Sequence, residues 1–168
     1  MAGRILQPSQ HCGLPGNTVF DAVASARDAV AYAEATGIPL CVLTIDFKEA
    51  FDKISHSHLH ALLRQCSFSD RFQQIIRNIC DNATASIQIN GQTSSPIPIR
   101  RSVRQGCPIS MQLFAMCLNP LLCTLENNVA GVKIGRRRIK TTALAYADYV
   151  TIFVTSPTDI SKIQEALR

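Results

Sequence analysis

Thr141 to Ala145 and Val150 to Val154 are two short runs rich in β-branched and apolar residues, separated only by Tyr146-Ala147-Asp148-Tyr149. The pattern predicts two antiparallel strands joined by a very tight turn that holds one carboxylate, Asp148, at its tip. A carboxylate fixed there is well placed to hold a metal ion, provided a second arrives from elsewhere. Thr44-Ile45-Asp46-Phe47, at the end of another apolar strand, offers one. The two carboxylates converge only if their strands are neighbours in one sheet. Without that, each is a strand-end Asp capping a turn. Tyr149 stands where a second Asp would make chemical sense.

The rest of the chain reads as helices alternating with strands. Thr18 offers an N-cap, after which Val19, Phe20, Val23, Ala26, Val30 and Ala33 recur at helical spacing and predict the inward face. Gly37 ends that helix, and Pro39 precedes a strand from Leu40 to Ile45. Ser55 caps a predicted helix running to about Cys66, with Leu59, Leu62 and Leu63 inward. Ser69 caps another, with Phe72, Ile75, Ile76 and Ile79 on one face. Alternation over residues 86–89 followed by Asn90-Gly91 predicts a hairpin, and Ile97-Pro98-Ile99 reads as an edge strand because proline cannot donate to a ladder. A long apolar helix is expected from 109 to about 128, kinked at Pro120, and Pro157-Thr158 opens a last one.

Charge is unevenly placed. Net charge is −1 over residues 1–84, +7 over 85–140 and −1 over 141–168. A basic middle between carboxylate-bearing segments suits a polyanion near a metal site, although a charge run alone is more often a solvated face. Hydrophobic residues make up 46% and charged residues 17%, a globular balance. No apolar run reaches the roughly 18–20 residues a membrane span needs. No signal peptide follows Met1-Ala2-Gly3-Arg4, so a location in cytoplasm or nucleus is expected. The Lys/Arg cluster at 136–140 is too short to read as a nuclear signal, and Arg136-Arg137-Arg138 is most simply an exposed turn. The seven cysteines form no C-x-x-C pair and read as buried thiols of a reducing compartment. His56-Ser57-His58-Leu59-His60 places only His56 and His60 on one helix face, so surface histidines are expected rather than zinc ligands.

The neighbours of the two carboxylates sharpen the reading. Phe51 follows Asp46 by five residues, and Arg104-Gln105-Gly106-Cys107-Pro108 supplies a cation, an amide and a glycine before the long helix. Three stretches then resemble the reverse transcriptases of non-LTR (LINE-type) retrotransposons. They are IDFKEAFDKISHS over 45–57, VRQGCPIS with LFAMCLNPLL between 103 and 122, and AYADYVTIF over 145–153. Cys12-Gly13-Leu14-Pro15-Gly16 is similar to the family's finger-region PG motif. Together these cover nearly the whole chain.

The resemblance implies an α+β polymerase palm, an antiparallel sheet packed on helices, with residues 1–38 part of the fingers and 39–168 mainly palm. It implies Asp46 and Asp148 as catalytic metal ligands for two Mg²⁺ ions, with the backbone of Phe47 helping to hold one. Phe51 matches the aromatic gate that excludes a ribose 2′-hydroxyl. Gln105 and Gly106 match the motif against the incoming dNTP and the templating base, and Arg100, Arg101 and Arg104 are candidates for phosphate. Tyr146 is expected to pack under the hairpin. The implied partners are an RNA template, a DNA primer and dNTP, with no membrane.

The chain also departs from the pattern. Tyr149 replaces the second aspartate of the Y/F-x-D-D box, and a phenol with a pKa of about 10 is a poor Mg²⁺ ligand at neutral pH. Asn17 stands where relatives often carry a base, and the thumb and the opening of the fingers are expected to be missing. An impaired RNA-directed DNA polymerase is therefore expected, with a non-catalytic nucleic-acid-binding remnant and an inert fold as alternatives.

Overall fold

The computed structural model describes residues 5–14, 16–135 and 139–167, in two compact units. The first comprises 1–48 and 118–168, the second 49–117. Pro15 of the PG motif and Arg136-Arg137-Arg138 lie outside the described residues.

The first unit is built on a three-stranded antiparallel sheet, β1 (Cys41–Asp46), β9 (Tyr149–Val154) and β8 (Ala143–Tyr146), in the order β1-β9-β8. The strand ends one residue later than Leu40–Ile45, so Asp46 is its last member. The run expected from Thr141 to Ala145 is in fact two elements. Thr141 closes β7 (Ile139–Thr141), which pairs with β6 (Val132–Ile134), and β8 begins at Ala143. Between them lies Thr142, whose carbonyl accepts from the Phe153 N–H at 2.8 Å, in line with the β8–β9 register.

Helix α1 (Val19–Thr36) starts at a Thr18 capping box, its hydroxyl accepting from Asp21 N and the Asp21 carboxylate accepting from Thr18 N at 2.7 Å. It ends at Gly37 in the left-handed conformation. Its inward face matches the expected one in part, at Ala33 and at Ala26, which packs against the core. Ala29 and Ala33 are buried, whereas Phe20 is 78% and Val23 60% exposed. The reason is close packing: Ala29 joins Val132, Leu144 and Phe153 in one core cluster, where a small side chain lets the helix approach the strands. Burying a side chain the size of Phe153 contributes about 1.5–3 kcal/mol. Helix α6 (Pro157–Ala166) closes the unit, with Pro157 in its first turn and Ile163 buried.

The second unit holds α2 (Ala50–Lys53), α3 (His56–Gln65) and α4 (Asp70–Cys80). It also holds two small antiparallel ribbons. Strand β2 (Thr84–Ala85) pairs with β5 (Ile97–Pro98), and β3 (Gln88–Ile89) pairs with β4 (Gln92–Thr93) around Asn90-Gly91. Leu59, Leu62 and Leu63 of α3 are buried as expected. Ser55 occupies the α3 N-cap without a capping bond, its hydroxyl bonding Ser57 instead. Ser69 does cap α4, accepting from Phe72 N, but that helix buries Ile76 and Cys80 and leaves Ile75 and Ile79 exposed. Helix α5 (Ser110–Asn128), with Pro120 inside it, contributes residues to both units.

Two sequence expectations fail on burial. Only Cys12 and Cys80 of the seven cysteines are buried, and Cys41 is exposed. His56 is buried, its Nε2 donating to the Ser102 carbonyl at 3.0 Å, and His60 pairs with Asp81 at 2.7 Å. Both histidines thus have protein partners, not the solvent a surface reading assigns them. Among the described residues no helix is long and apolar enough to cross a membrane.

Candidate active site

The sheet brings the two predicted carboxylates to the same end. Asp46 pairs directly with Tyr149, and one step further the Phe47 N–H donates to the Asp148 carbonyl at 3.4 Å. Hydrogen-bonded and non-hydrogen-bonded pairs alternate along an antiparallel ladder. Asp46 and Tyr149 are therefore the non-hydrogen-bonded kind, with side chains on one face and Cβ atoms about 4.5–5.5 Å apart. Tyr146 is also paired with Tyr149. Tyr146, Tyr149 and Asp46 consequently form one row across the three strands. Asp46 is exposed, Asp148 half-buried in the turn, and Tyr149 54% exposed.

Two carboxylates on adjacent strand ends fit a divalent cation, which favours charged oxygen ligands. Among the described residues a third carboxylate is lacking. Tyr149, opposite Asp46, presents a neutral phenol, and among the described residues no group of three or more His, Cys, Asp or Glu side chains comes together.

The hairpin is supported from its other side by a segment with no apolar periodicity. The Ala145 N–H donates to the Ser9 carbonyl at 2.7 Å, and the His11 N–H donates to the Ala145 carbonyl at 2.8 Å. Gln10 thereby forms a parallel bridge with Ala145. The side chain of Gln10 is fully buried, and its Oε1 accepts from the Cys12 N–H at 2.9 Å. Burial holds the His11 imidazole below its ordinary pKa, against the opposing pull of Asp21.

Phe51, Arg104, Gln105 and Gly106 belong to the second unit. The Phe51 ring stacks on Phe114 with centroids 4.6 Å apart, and its carbonyl accepts from the Val103 N–H at 2.9 Å. That bond fixes the gate candidate beside the start of the Arg104-Gln105-Gly106 turn. The turn closes by the Cys107 N–H donating to the Arg104 carbonyl at 3.2 Å. Gly106 sits at φ 82, the positive value that the third position of such a turn demands of glycine. Ser110 at the head of α5 adds its hydroxyl to the same carbonyl at 2.6 Å. Arg104 and Gln105 line a cavity of about 290 Å³ with Asp52, His56 and Ser102. Arg100 and Arg101 are exposed. The basic stretch 85–140 is divided between the two units, and Lys140 spends its ammonium on the Glu126 carbonyl.

Sequence reasoning missed the Ser9–Cys12 support altogether. Its bonds are main-chain contacts to a residue more than 130 positions away, which leave no periodic trace. The one local signal is a glutamine in a short polar stretch that ends buried.

Comparison with known proteins identifies the family. Residues 5–168 match the family described as reverse transcriptase (RNA-dependent DNA polymerase). The chain is 32% identical over 161 residues to a Transposon TX1 uncharacterized 149 kDa protein of Xenopus laevis, an alignment covering 96% of this chain and 12% of that protein. It is 29% identical over 119 residues to a Pol polyprotein from a type-1 retrotransposable element R2 of Popillia japonica, covering 71% of this chain and 20% of the relative. The chain thus spans a fifth or less of these relatives. In three dimensions it is similar to an apo telomerase from Candida tropicalis, with a TM-score of 0.66 at 12% identity over 95% of this chain and 32% of that one. That likeness is one of fold, an antiparallel sheet with helices in the manner of a polymerase palm.

Proposed function

The chain belongs to the reverse transcriptase (RNA-dependent DNA polymerase) family, with non-LTR retrotransposon proteins among its relatives, and from that premise we propose that it is the palm with part of the fingers of an RNA-directed DNA polymerase. Residues 1–38 are assigned to the fingers and 39–168 mainly to the palm. Asp46 and Asp148, with the Phe47 backbone, are the groups that would hold Mg²⁺. When bound, two such ions neutralise phosphate charge and align the attacking and leaving oxygens of nucleotidyl transfer. The chain's own residues do the rest. Phe51, held against Phe114, serves as the gate against a ribose 2′-hydroxyl. Gln105 and Gly106 meet the dNTP and the templating base, and Arg104 contacts phosphate.

The observation that carries this reading is the pairing of β1 with β9, which sets Asp46 beside the Asp148 turn. The same pairing puts Tyr149 opposite Asp46, where a carboxylate would complete the ligand set. This copy is therefore inactive or weakly active. The loss is on the order of 10²–10³-fold, the scale of removing one preorganised electrostatic contact. A second reading, a non-catalytic nucleic-acid-binding remnant, is favoured by Tyr149 together with exposed Arg100, Arg101 and Lys133. Its binding would fall steeply with salt.

Primer extension on an RNA template with Mg²⁺ and dNTP tests both. This span and its Tyr149→Asp variant are each grafted into the matching region of a full-length relative. Extension only with Tyr149→Asp supports the polymerase reading. Folded proteins that bind RNA in a salt-dependent way, yet never extend, overturn it in favour of the remnant.

A further inference from the structure

Two residues before Arg104 the backbone takes a conformation that its sequence does not favour. Ser102 sits at φ 107, a positive value that strains any side chain and persists only where the surroundings enforce it. Three bonds do so. The Ser102 N–H donates to the Ile54 carbonyl at 2.9 Å, its hydroxyl donates to the Asp52 carboxylate at 3.1 Å, and its carbonyl accepts from the His56 Nε2 at 3.0 Å. Every polar group of this serine is therefore spent on residues 52–56. Its neighbour Val103, itself buried, donates its N–H to the Phe51 carbonyl at 2.9 Å. His56 is buried too, and a buried imidazole is costly unless it is bonded. Its bond goes to the strained residue. With Asp52 and Ser102 it walls the cavity that Arg104 and Gln105 also line.

We propose that His56 is a positioning residue for nucleotide selection: by gripping the Ser102 carbonyl it locks the strained link that ties the Phe51 gate to the Arg104-Gln105-Gly106 turn. The inference rests on the reading of Phe51 and Gln105 as groups that meet the dNTP. The Phe51 ring is stacked on Phe114 and its carbonyl is bonded to Val103, so gate and turn share one backbone path through residues 102 and 103. Released from His56, Ser102 relaxes toward negative φ, which redirects the chain at Val103 and loosens its bond to Phe51. The gate then gains room for a 2′-hydroxyl. Neither Asp46 nor Asp148 takes part in these bonds, so the defect falls on selection and KM rather than on kcat.

Single-nucleotide primer extension on an RNA template tests this, using the Tyr149→Asp graft in a full-length relative and separating kcat from KM for dNTP and for the matching NTP. His56→Ala is expected to raise the KM for dNTP and lower the preference for dNTP over NTP, each by about three- to tenfold, with kcat nearly unchanged. His56→Gln, which keeps an N–H donor of similar reach, restores both to within about twofold. Asp52→Ala removes the second tie at an exposed carboxylate, where no buried space opens, and moves the preference the same way by about two- to threefold. Ile76→Val, a buried change in α4, supplies a general destabilisation that leaves the preference alone. The proposal is overturned by an unchanged preference in His56→Ala or Asp52→Ala, by an equal shift in Ile76→Val, or by failure of His56→Gln to rescue. If the Tyr149→Asp graft extends no primer, the polymerase reading falls instead. Hydrogen exchange of the Ser102 and Val103 amides in the full chain, followed by NMR, then decides whether His56 locks the link. Faster exchange in His56→Ala than in Ile76→Val upholds the lock, and equal exchange overturns it.

Discussion

Two hairpins in this chain turn in two residues, and they do so for opposite reasons. At β3–β4 the turn residues are Asn90 and Gly91, with φ of 50 and 79, the residue types that accept positive φ at least cost. The strands beside them are two residues long and exposed, with Ile89 66% accessible. At β8–β9 the turn residues are Ala147 and Asp148, and Ala147 takes φ 53 without the help of a glycine. Its strands are buried, with Val150 and Ile152 at 0% exposure. The first hairpin is made by its turn. The second is imposed on its turn by β1, by the Ser9–Cys12 segment and by the core beneath. Strain of this kind is kept where a side chain has to be presented in one place.

The largest effect that sharpens this contrast is in the core. Ile152→Ala is expected to cost about 2–5 kcal/mol, whereas Ile89→Ala stays within about 0.5 kcal/mol. Urea denaturation measures both, and equal costs would erase the distinction. Next comes acid. Burial pushes the Asp159 carboxyl up, but the Lys162 ammonium at 2.9 Å and the Ala130 N–H at 3.1 Å outweigh it and hold the group below its ordinary 3.8. A depressed carboxyl stabilises the fold fully above the unfolded value and loses that contribution as pH falls through the folded one. Stability should therefore drop below about pH 4, and Asp159→Asn should flatten that drop while costing about 1 kcal/mol at neutral pH. The smallest effects are in the turns themselves. Ala147→Gly relieves about 1–2 kcal/mol of strain but gains about 0.5–1 kcal/mol of unfolded-chain freedom, for a net stabilisation of no more than about 1.5 kcal/mol. Gly91→Ala moves the other way by a similar amount, and a paired thermal melt compares them.

The same contrast explains what the sequence shows in advance. Asn90-Gly91 is legible because the turn chemistry is local. Asp46 and Asp148 are legible as strand-end carboxylates, and their meeting follows once the strands are paired. The inward face of α1 was legible at Ala33 but not at its start, because hydrophobicity points to Val19, Phe20 and Val23 whereas close approach to the sheet selects Ala29. Ile75 and Ile79 misled for a related reason, since one helix face exceeds what its neighbours cover. The Ser9–Cys12 segment is polar and aperiodic, and its significance exists only in the folded chain.

Strand β1 is the outermost member of its sheet, with Val42 44% and Leu43 37% exposed. Its six residues contain neither lysine nor proline, the features that blunt an open edge. Among the described residues no strand pairs with the outer side of Cys41–Asp46, which is therefore a template for strand addition by another copy. Handled at high concentration, this chain should assemble edge to edge and lose solubility first along that strand, and a single Val42→Lys change should keep it dispersed.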